Sequence, residues 1–135
     1  MTTKLTLSKR ERLKSSIIME QLFSSGNSIK SGPFVLLWSL QKLSSSVPIQ
    51  VAFSVPKKKF KKAVTRNKIR RLVKEAYRLH KTDLFDTVLK SEKQLALFIL
   101  YRDNNESTQK ELQDKIIVAL SRLENELKIV LSNAD

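Results

Sequence analysis

The 135 residues form a strongly basic chain that has room for one domain with a modest core. With 41% hydrophobic residues, two glycines and three prolines, the composition is typical of a packed globular protein and excludes a disordered basic tail. The chain has no cysteine, which excludes disulfides and thiolate metal sites, and the lone His80 cannot form a metal site by itself. No apolar stretch approaches the length of a membrane span, so we expect a cytoplasmic protein.

The positive charge is concentrated in one segment. Of the net charge of +13, residues 56–81 hold twelve bases and one acid, whereas residues 82–135 hold seven bases and ten acids. Because like charges at this density repel one another, a polyanionic partner best explains the segment. Nucleic acid is the first candidate, and an anionic membrane surface is the second.

The N-terminal half predicts one helix and two strands. Ser15 or Ser16 can cap a helix that runs to about Ser24, and Gly26 can take the positive φ of a helix stop. The stretches 33–41 and 48–55 are rich in β-branched and aromatic residues, and the serine-rich turn between them predicts an antiparallel hairpin. In the second strand one alternating face is apolar and predicts core. The other face is small and mildly polar and could floor a groove.

The basic segment predicts an amphipathic helix from about Val64 or Thr65 to Lys81. Apolar residues recur at helical spacing between Ile69 and His80, which indicates one buried face. At 100° per residue, a cluster of basic and amide side chains lies roughly opposite this face. Its members are Asn67, Arg70, Arg71, Lys74 and Arg78, with Arg66 and Lys68 at its borders.

The C-terminal half predicts one buried strand and one long helix. The strand covers Leu95 to Arg102, and Thr108 with Glu111 matches a capping box for a helix that reaches Ser132. The resulting order α-β-β-α-β-α predicts an α+β fold in which helices pack on one small sheet, within a single domain spanning 1–135.

The residue inventory contains no catalytic constellation. One histidine, no cysteine and no glycine-rich phosphate loop leave no nucleophile–base pair and no metal cluster. Solvated protein faces mix both signs of charge, but residues 56–81 have Glu75 as their only acid. A basic amphipathic helix can also lie on a membrane, although this apolar stripe has the width that packs on a sheet. Arginines with an asparagine at the helix start suit RNA, since guanidinium groups bind phosphates in pairs and stack on bases.

The run SVPKKKFKKAVTRNKIRRLVKEAYR, residues 54–78, resembles the signature of the bacterial ribonuclease P protein subunit. In that family an Arg-Asn-Arg opening leads into a basic helix. Residues 12–37 are similar to the family's first helix, glycine turn and phenylalanine-led strand. The resemblance implies a mainly antiparallel sheet in the order α-β-β-(β)-α-β-α, with a left-handed β-α-β crossover around the basic helix.

The same resemblance implies a function in tRNA processing. Family members belong to a ribonucleoprotein endonuclease that removes the 5′ leader from precursor tRNA. The RNA subunit performs the hydrolysis with bound Mg²⁺, and the protein supplies affinity. The implied partners are therefore ribonuclease P RNA, bound 1:1, and precursor tRNA, with no membrane. A generic RNA-binding module, such as a ribosome-associated protein, is the alternative, and it would be indifferent to leader length.

Three groups of site residues follow from the resemblance. The basic helix would dock on the catalytic RNA through Arg66, Asn67, Lys68, Arg70, Arg71, Lys74 and Arg78. Position 68 commonly holds arginine in the family, and a lysine there is a point charge without a bidentate fork. A groove between the first helix and the sheet would bind the leader through Met19, Phe23, Val35, Leu37 and Lys58. Further phosphate contacts would come from Lys57, Lys59, Lys61 and Lys62. Apart from the resemblance, Met19, Val35 and Leu37 also fit an ordinary core.

Overall fold

The chain folds into helices and strands in an α+β arrangement, as predicted. The structure is a computed structural model that describes residues 7–103 and 108–133. The elements in chain order are α1 (Ser16–Ser25), β1 (Asn27–Ser31), β2 (Phe34–Leu40), β3 (Ile49–Ser54), α2 (Ala63–His80), α3 (Thr82–Lys90), β4 (Leu95–Tyr101) and α4 (Gln109–Asn133). None of these helices is both long enough and apolar enough to cross a lipid bilayer.

The four strands described form one mixed sheet in the order β1-β2-β4-β3. β2 pairs antiparallel with β1 and with β4, whereas β3 pairs parallel with β4. The predicted hairpin between β2 and β3 is therefore wrong, because β4 lies between them. β4 is buried along nearly its whole length, as is typical of a strand paired on both sides and covered on both faces.

The parallel pair requires a crossover, and α2 and α3 provide it between β3 and β4. This confirms the parallel β-α-β unit that the family resemblance implies. Its left-handedness stays a prediction.

Two glycines control the chain around β1. Gly26 follows α1 but has a φ of −71°, so the predicted positive φ is wrong there. Glycine is needed for a different reason: a Cβ at this position would lie 2.6 Å from the carbonyl oxygen of Leu22. Gly32, in the turn between β1 and β2, has the positive φ, at +57°.

Each face of the sheet carries a core. α2 and α4 cover one face around the larger core, which includes Leu36, Ile99 and Val73. α1 covers part of the opposite face around a smaller core of Leu13, Leu22, Leu43, Ala96 and Phe98. Since α1 has only ten residues, other side chains of this face, such as Leu37 and Leu100, stay partly exposed.

The edge of β3 that faces away from β4 is covered by residues 8–14, named the N-terminal strap here. Arg12 of the strap forms an isolated parallel bridge with Val51. The backbone N–H of Leu13 donates to the carbonyl of Val51 at 3.0 Å. The strap thereby occupies backbone groups that an open edge strand would offer to another chain.

Candidate nucleic-acid interface

The basic helix α2 buries one face and presents the other to solvent. Ile69, Val73, Ala76 and Tyr77 form the buried face, as their spacing predicts. On the other side, Asn67, Lys68 and Arg71 are exposed, while Arg70, Lys74 and Arg78 are half-buried. The helix therefore carries its charge on a surface that its own packing leaves available.

Arg78 differs from the other basic residues of α2 because it is paired with Glu75. Its Nε donates to Glu75 Oε2 at 3.0 Å, and Nη2 donates to Oε1. The hydrogen bond from Arg78 lowers the pKa of Glu75, and the pKa of Arg78 is raised in return. Because Glu75 is the only acid of residues 56–81, its pair with Arg78 neutralises the only negative charge of that segment.

Arg70 stands at the border between the two faces of α2. Its Nε is buried and has no hydrogen-bond partner among the residues that the structure describes. This Nε is closed to a partner from outside, so a phosphate oxygen can reach Arg70 only through the Nη groups at the end of its guanidinium.

Arg66 does not point outward with the predicted docking residues. Its Nη1 turns back and donates to the carbonyls of Phe60 and Lys61, both at 2.8 Å. Arg66 is thus bound to the segment that precedes α2, which the sequence alone does not reveal. The helical spacing shows the direction of a side chain but not the carbonyls that it meets.

That preceding segment, residues 56–62, is named the lysine loop here. Phe60 anchors it, since only 9% of this side chain is exposed and its ring centroid lies 6.2 Å from that of Tyr101. The N–H of Lys59 donates to the carbonyl of Pro56 at 3.2 Å, which closes a turn. The four lysines predicted as further phosphate contacts are all exposed on this loop: Lys57, Lys59, Lys61 and Lys62. Lys58, predicted for the leader groove, is exposed there too.

A second candidate surface lies where α1 meets the sheet. Phe23 of α1 is 59% exposed, and its ring contacts Phe98 of β4 edge-to-face at a centroid distance of 5.0 Å. Met19 and Leu37 pack against the same small core as Phe98 and are only partly buried. The structure therefore brings together three of the five predicted groove residues.

The remaining two groove residues lie at one end of this surface. Val35 pairs with Leu100, and Leu100 pairs with Ser54 at the end of β3. Val35 is almost fully buried, with 9% of its surface exposed. The lysine loop starts two residues after Ser54, so Lys58 belongs to the end of the sheet where Val35 lies.

Two further residues of this surface were not among the predicted ones. Lys30 lies opposite Val35 in the β1–β2 ladder, so both side chains are on one face, and Lys30 is exposed. Phe98 lies opposite Leu37. The alternation within β4 could have identified Phe98, whereas Lys30 lies in a short polar strand that residue patterns alone did not predict.

Comparison with known proteins gives consistent results. The family model described as Ribonuclease P matches residues 7–124. The ribonuclease P protein component of Chlorobaculum tepidum is 33% identical over 135 residues, covering 94% of this chain and 81% of that protein. The ribonuclease P protein component of Porphyromonas gingivalis (strain ATCC 33277) is 37% identical over 82 residues, covering 61% of this chain and 60% of that protein.

Solved structures show the same fold. The RNase P protein of Staphylococcus aureus superimposes with a TM-score of 0.68 at 22% identity, covering 85% of this chain and 96% of that one. The RNase P protein of Thermotoga maritima gives a TM-score of 0.62 at 24% identity, covering 84% and 97%. The family match from residue 7 to 124 and the relative at 33% identity show that this chain belongs to the ribonuclease P protein family.

Proposed function

We propose that this chain is the protein subunit of ribonuclease P and assists removal of the 5′ leader from precursor tRNA. Family membership supports a role in tRNA processing and a partnership with ribonuclease P RNA. The proposal includes one protein per RNA, with hydrolysis by the RNA subunit and Mg²⁺ held mainly by the RNA and the substrate. Across residues 7–103 and 108–133 no group of three or more His, Asp or Glu side chains could hold a metal ion.

The observation that carries the proposal is a cationic surface whose only acid is already paired. The lysine loop and the outward face of α2 are consecutive in the chain, and Arg66 joins them by hydrogen bonds. We propose that Asn67, Lys68, Arg70, Arg71 and Lys74 contact the catalytic RNA, with Arg78 in a lesser role because of its pairing with Glu75. Neutralised phosphates repel one another less, which lowers the magnesium needed for assembly.

The surface between α1 and the sheet is proposed to hold the single-stranded leader. Its centre is apolar, with Phe23, Met19 and Leu37 around Phe98. Exposed Lys58 and Lys30 lie toward the end marked by Val35. Bases can stack on Phe23 while lysines meet the leader phosphates, the combination that single-stranded nucleic acid uses in other proteins.

Cleavage of precursor tRNA at limiting magnesium tests the proposal. Ribonuclease P RNA from the same organism is assayed with and without this protein, on substrates with a one-nucleotide leader and with a leader several nucleotides long. We expect the protein to rescue cleavage and to favour the longer leader. Tight RNA binding without rescue would instead identify a generic RNA-binding module.

Two alanine variants locate the leader surface in the same assay. Phe23→Ala removes the exposed ring, and Ile17→Ala is the matched control, since Ile17 is 69% exposed on the same helix. Stacking on one aromatic ring contributes about 1–3 kcal/mol per base. Phe23→Ala should weaken binding of long-leader substrate by about this amount and spare leaderless tRNA, while Ile17→Ala changes neither. Equal losses on both substrates would make Phe23 a packing residue.

A further inference from the structure

The N-terminal strap has an unusual division of charge. Its four bases, Lys9, Arg10, Arg12 and Lys14, are all exposed, whereas its single acid, Glu11, is buried. None of the four basic side chains pairs with another residue in the described parts of the chain. The strap therefore presents four uncompensated positive charges to solvent.

The negative charge of Glu11 is neutralised by a lysine at the C-terminal end of α2. It forms an ion pair with Lys81, the residue that ends this helix, and Lys81 is 1% exposed. The second carboxylate oxygen of Glu11 accepts hydrogen bonds from the N–H and the hydroxyl of Ser8, each at 3.0 Å. Burying an ion pair costs desolvation free energy, and such pairs stabilise a fold weakly compared with apolar packing. The pair has a clearer role in fixing the position of the strap.

Contacts with β3 also hold the strap in this position. The side chain of Gln50 donates from Nε2 to the carbonyl of Arg10 at 2.9 Å. Leu13 enters the smaller core with 4% of its surface exposed. With the backbone bond to Val51, these contacts hold the strap on both sides of its exposed bases.

The position of the strap on the fold indicates which RNA it contacts. It contacts β3 at Gln50 and Val51, near the start of that strand, whereas Val35 and the lysine loop mark the other end. Through Lys81 it touches the C-terminal end of α2. The strap thus adjoins the C-terminal end of α2. Leu13 packs into the smaller core beneath the proposed leader surface, but the β3 contacts of the strap lie at the opposite end of that strand from Val35 and the lysine loop.

We propose that the strap is a further RNA-binding surface, which contacts the phosphate backbone of the catalytic RNA next to the C-terminal end of α2. Arg10 and Arg12 bind phosphates, and the Glu11–Lys81 pair is a positioning device for them. The inference rests on the proposed function for the identity of the RNA. The contacts that fix the strap do not depend on the proposed function.

Matched charge removal tests this inference in the full chain. Arg10→Gln with Arg12→Gln removes two charges from the strap, and Lys90→Gln with Lys110→Gln removes two exposed charges from α3 and α4. Affinity for ribonuclease P RNA is measured over a range of KCl concentrations. Two lost phosphate contacts should reduce the slope of log affinity against log salt by about 1.5 in the strap variant alone. Equal slopes for the two variants would overturn the inference.

The comparison also separates the inference from the proposed function. A strap variant that loses RNA affinity equally for short and long leaders supports the assignment to the catalytic RNA. A loss confined to long-leader substrate would place the strap on the leader and refute that assignment. If the unmodified protein binds the RNA but does not rescue cleavage, the proposed function fails while the salt slopes still decide whether the strap binds RNA.

Glu11→Gln tests the positioning role through the sign of its effect. The variant adds one positive charge, so simple long-range attraction predicts stronger RNA binding. Loss of the pair with Lys81 frees the strap, and we expect weaker binding instead, with circular dichroism unchanged. Stronger binding would show that the pair does not position the strap. If this variant does not fold, the Arg10 and Arg12 comparison still decides.

Discussion

At the scale of single residues, Arg66 shows that a basic side chain can act through backbone groups. One nitrogen of its guanidinium group meets two carbonyls of the lysine loop, so the side chain fixes the loop relative to α2. Both bonds come from Nη1, whose two N–H groups are held in the rigid guanidinium plane, whereas the ammonium of a lysine sits on a flexible stem. Arg66 is thus a positioning residue for the neighbouring lysines as well as a candidate for RNA contact.

Arg66→Lys should weaken RNA binding although the net charge is unchanged. The lysine loop would lose its attachment, and each of its lysines would bind phosphate with a larger entropic cost. In a double-mutant cycle with Lys59→Ala, we expect the two losses to be less than additive, with a coupling of about 0.5 kcal/mol or more. Arg71→Lys is the control, because Arg71 is exposed and should combine additively with Lys59→Ala. Additive losses for both arginines would contradict the positioning role.

At the scale of elements, the start of α4 is fixed by a reciprocal pair of hydrogen bonds. The N–H of Glu111 donates to the hydroxyl of Thr108 at 3.2 Å, and the N–H of Thr108 donates to Glu111 Oε1 at 3.0 Å. This confirms the predicted capping box. The hydrogen bonds from Thr108 lower the pKa of Glu111 below its ordinary value. The glutamate bond therefore depends on pH, and the threonine bond does not.

Two variants separate these contributions. Thr108→Ala should lower the free energy of unfolding by about 0.5–2 kcal/mol, the usual cost of losing an N-cap side chain, at all pH values. Because the folded-state pKa of Glu111 is depressed, its contribution is present above the unfolded-state pKa and disappears as pH falls through the folded-state pKa. Glu111→Gln should then cost stability at neutral pH and nothing in acid. Urea unfolding at both pH values measures this, and a pH-independent cost of Glu111→Gln would be inconsistent with the assignment.

The elements also show how far residue patterns reach. α1, α2, β4 and α4 have long or strongly periodic apolar patterns, and their predicted bounds agree with the structure to within one or two residues. β1 is short and has one buried apolar residue, Ile29, so local patterns did not reveal it. In α3 the buried residues Leu84 and Val88 have helical spacing, which could have identified this helix and was missed. Strand neighbours depend on contacts across the whole chain. For that reason a short serine-rich turn suggested a hairpin that the fold does not contain.

In the candidate sites, too, residue patterns predicted one part of the arrangement and missed another. Helical spacing correctly separated the buried face of α2 from its charged face, and alternation in β3 correctly separated its apolar core face from its small, mildly polar face. The inward turn of Arg66, the pairing of Arg78 with Glu75 and the burial of Lys81 were not foreseen. Glu75 and Arg78 have the i,i+3 spacing of neighbours on a helix, so their pairing could have been predicted. The partners of Arg66 and Lys81 lie outside α2, where helical spacing gives no information.

At the scale of the whole molecule, the charges are segregated. The lysine loop, α2 and the strap carry most of the net charge of +13, while residues 82–135 hold ten acids and seven bases. A molecule with this distribution binds a polyanion in a preferred orientation and presents its less basic side outward. Binding should then be controlled by release of counterions from the RNA.

We expect the affinity for ribonuclease P RNA to fall steeply with salt. If the protein neutralises about 6–10 phosphates, raising KCl from about 50 to 200 mM should reduce the affinity by about 10³-fold or more. Equilibrium binding measures this, and thermal unfolding over the same salt range serves as the control for an intact fold. A nearly flat response would be incompatible with binding through these cationic surfaces.

The place of β4 in the sheet has a consequence for how the protein is made. β4 joins β2 to β3, yet it is the last of the four strands to leave the ribosome. Until Tyr101 has been synthesised, the hairpin of β1 and β2 has no link to β3, and α2 has no complete sheet to pack on. During translation the most cationic segment therefore emerges before its apolar face can be buried, in a cell crowded with RNA. The nascent chain depends on prompt completion of β4 to remove that face from unintended partners.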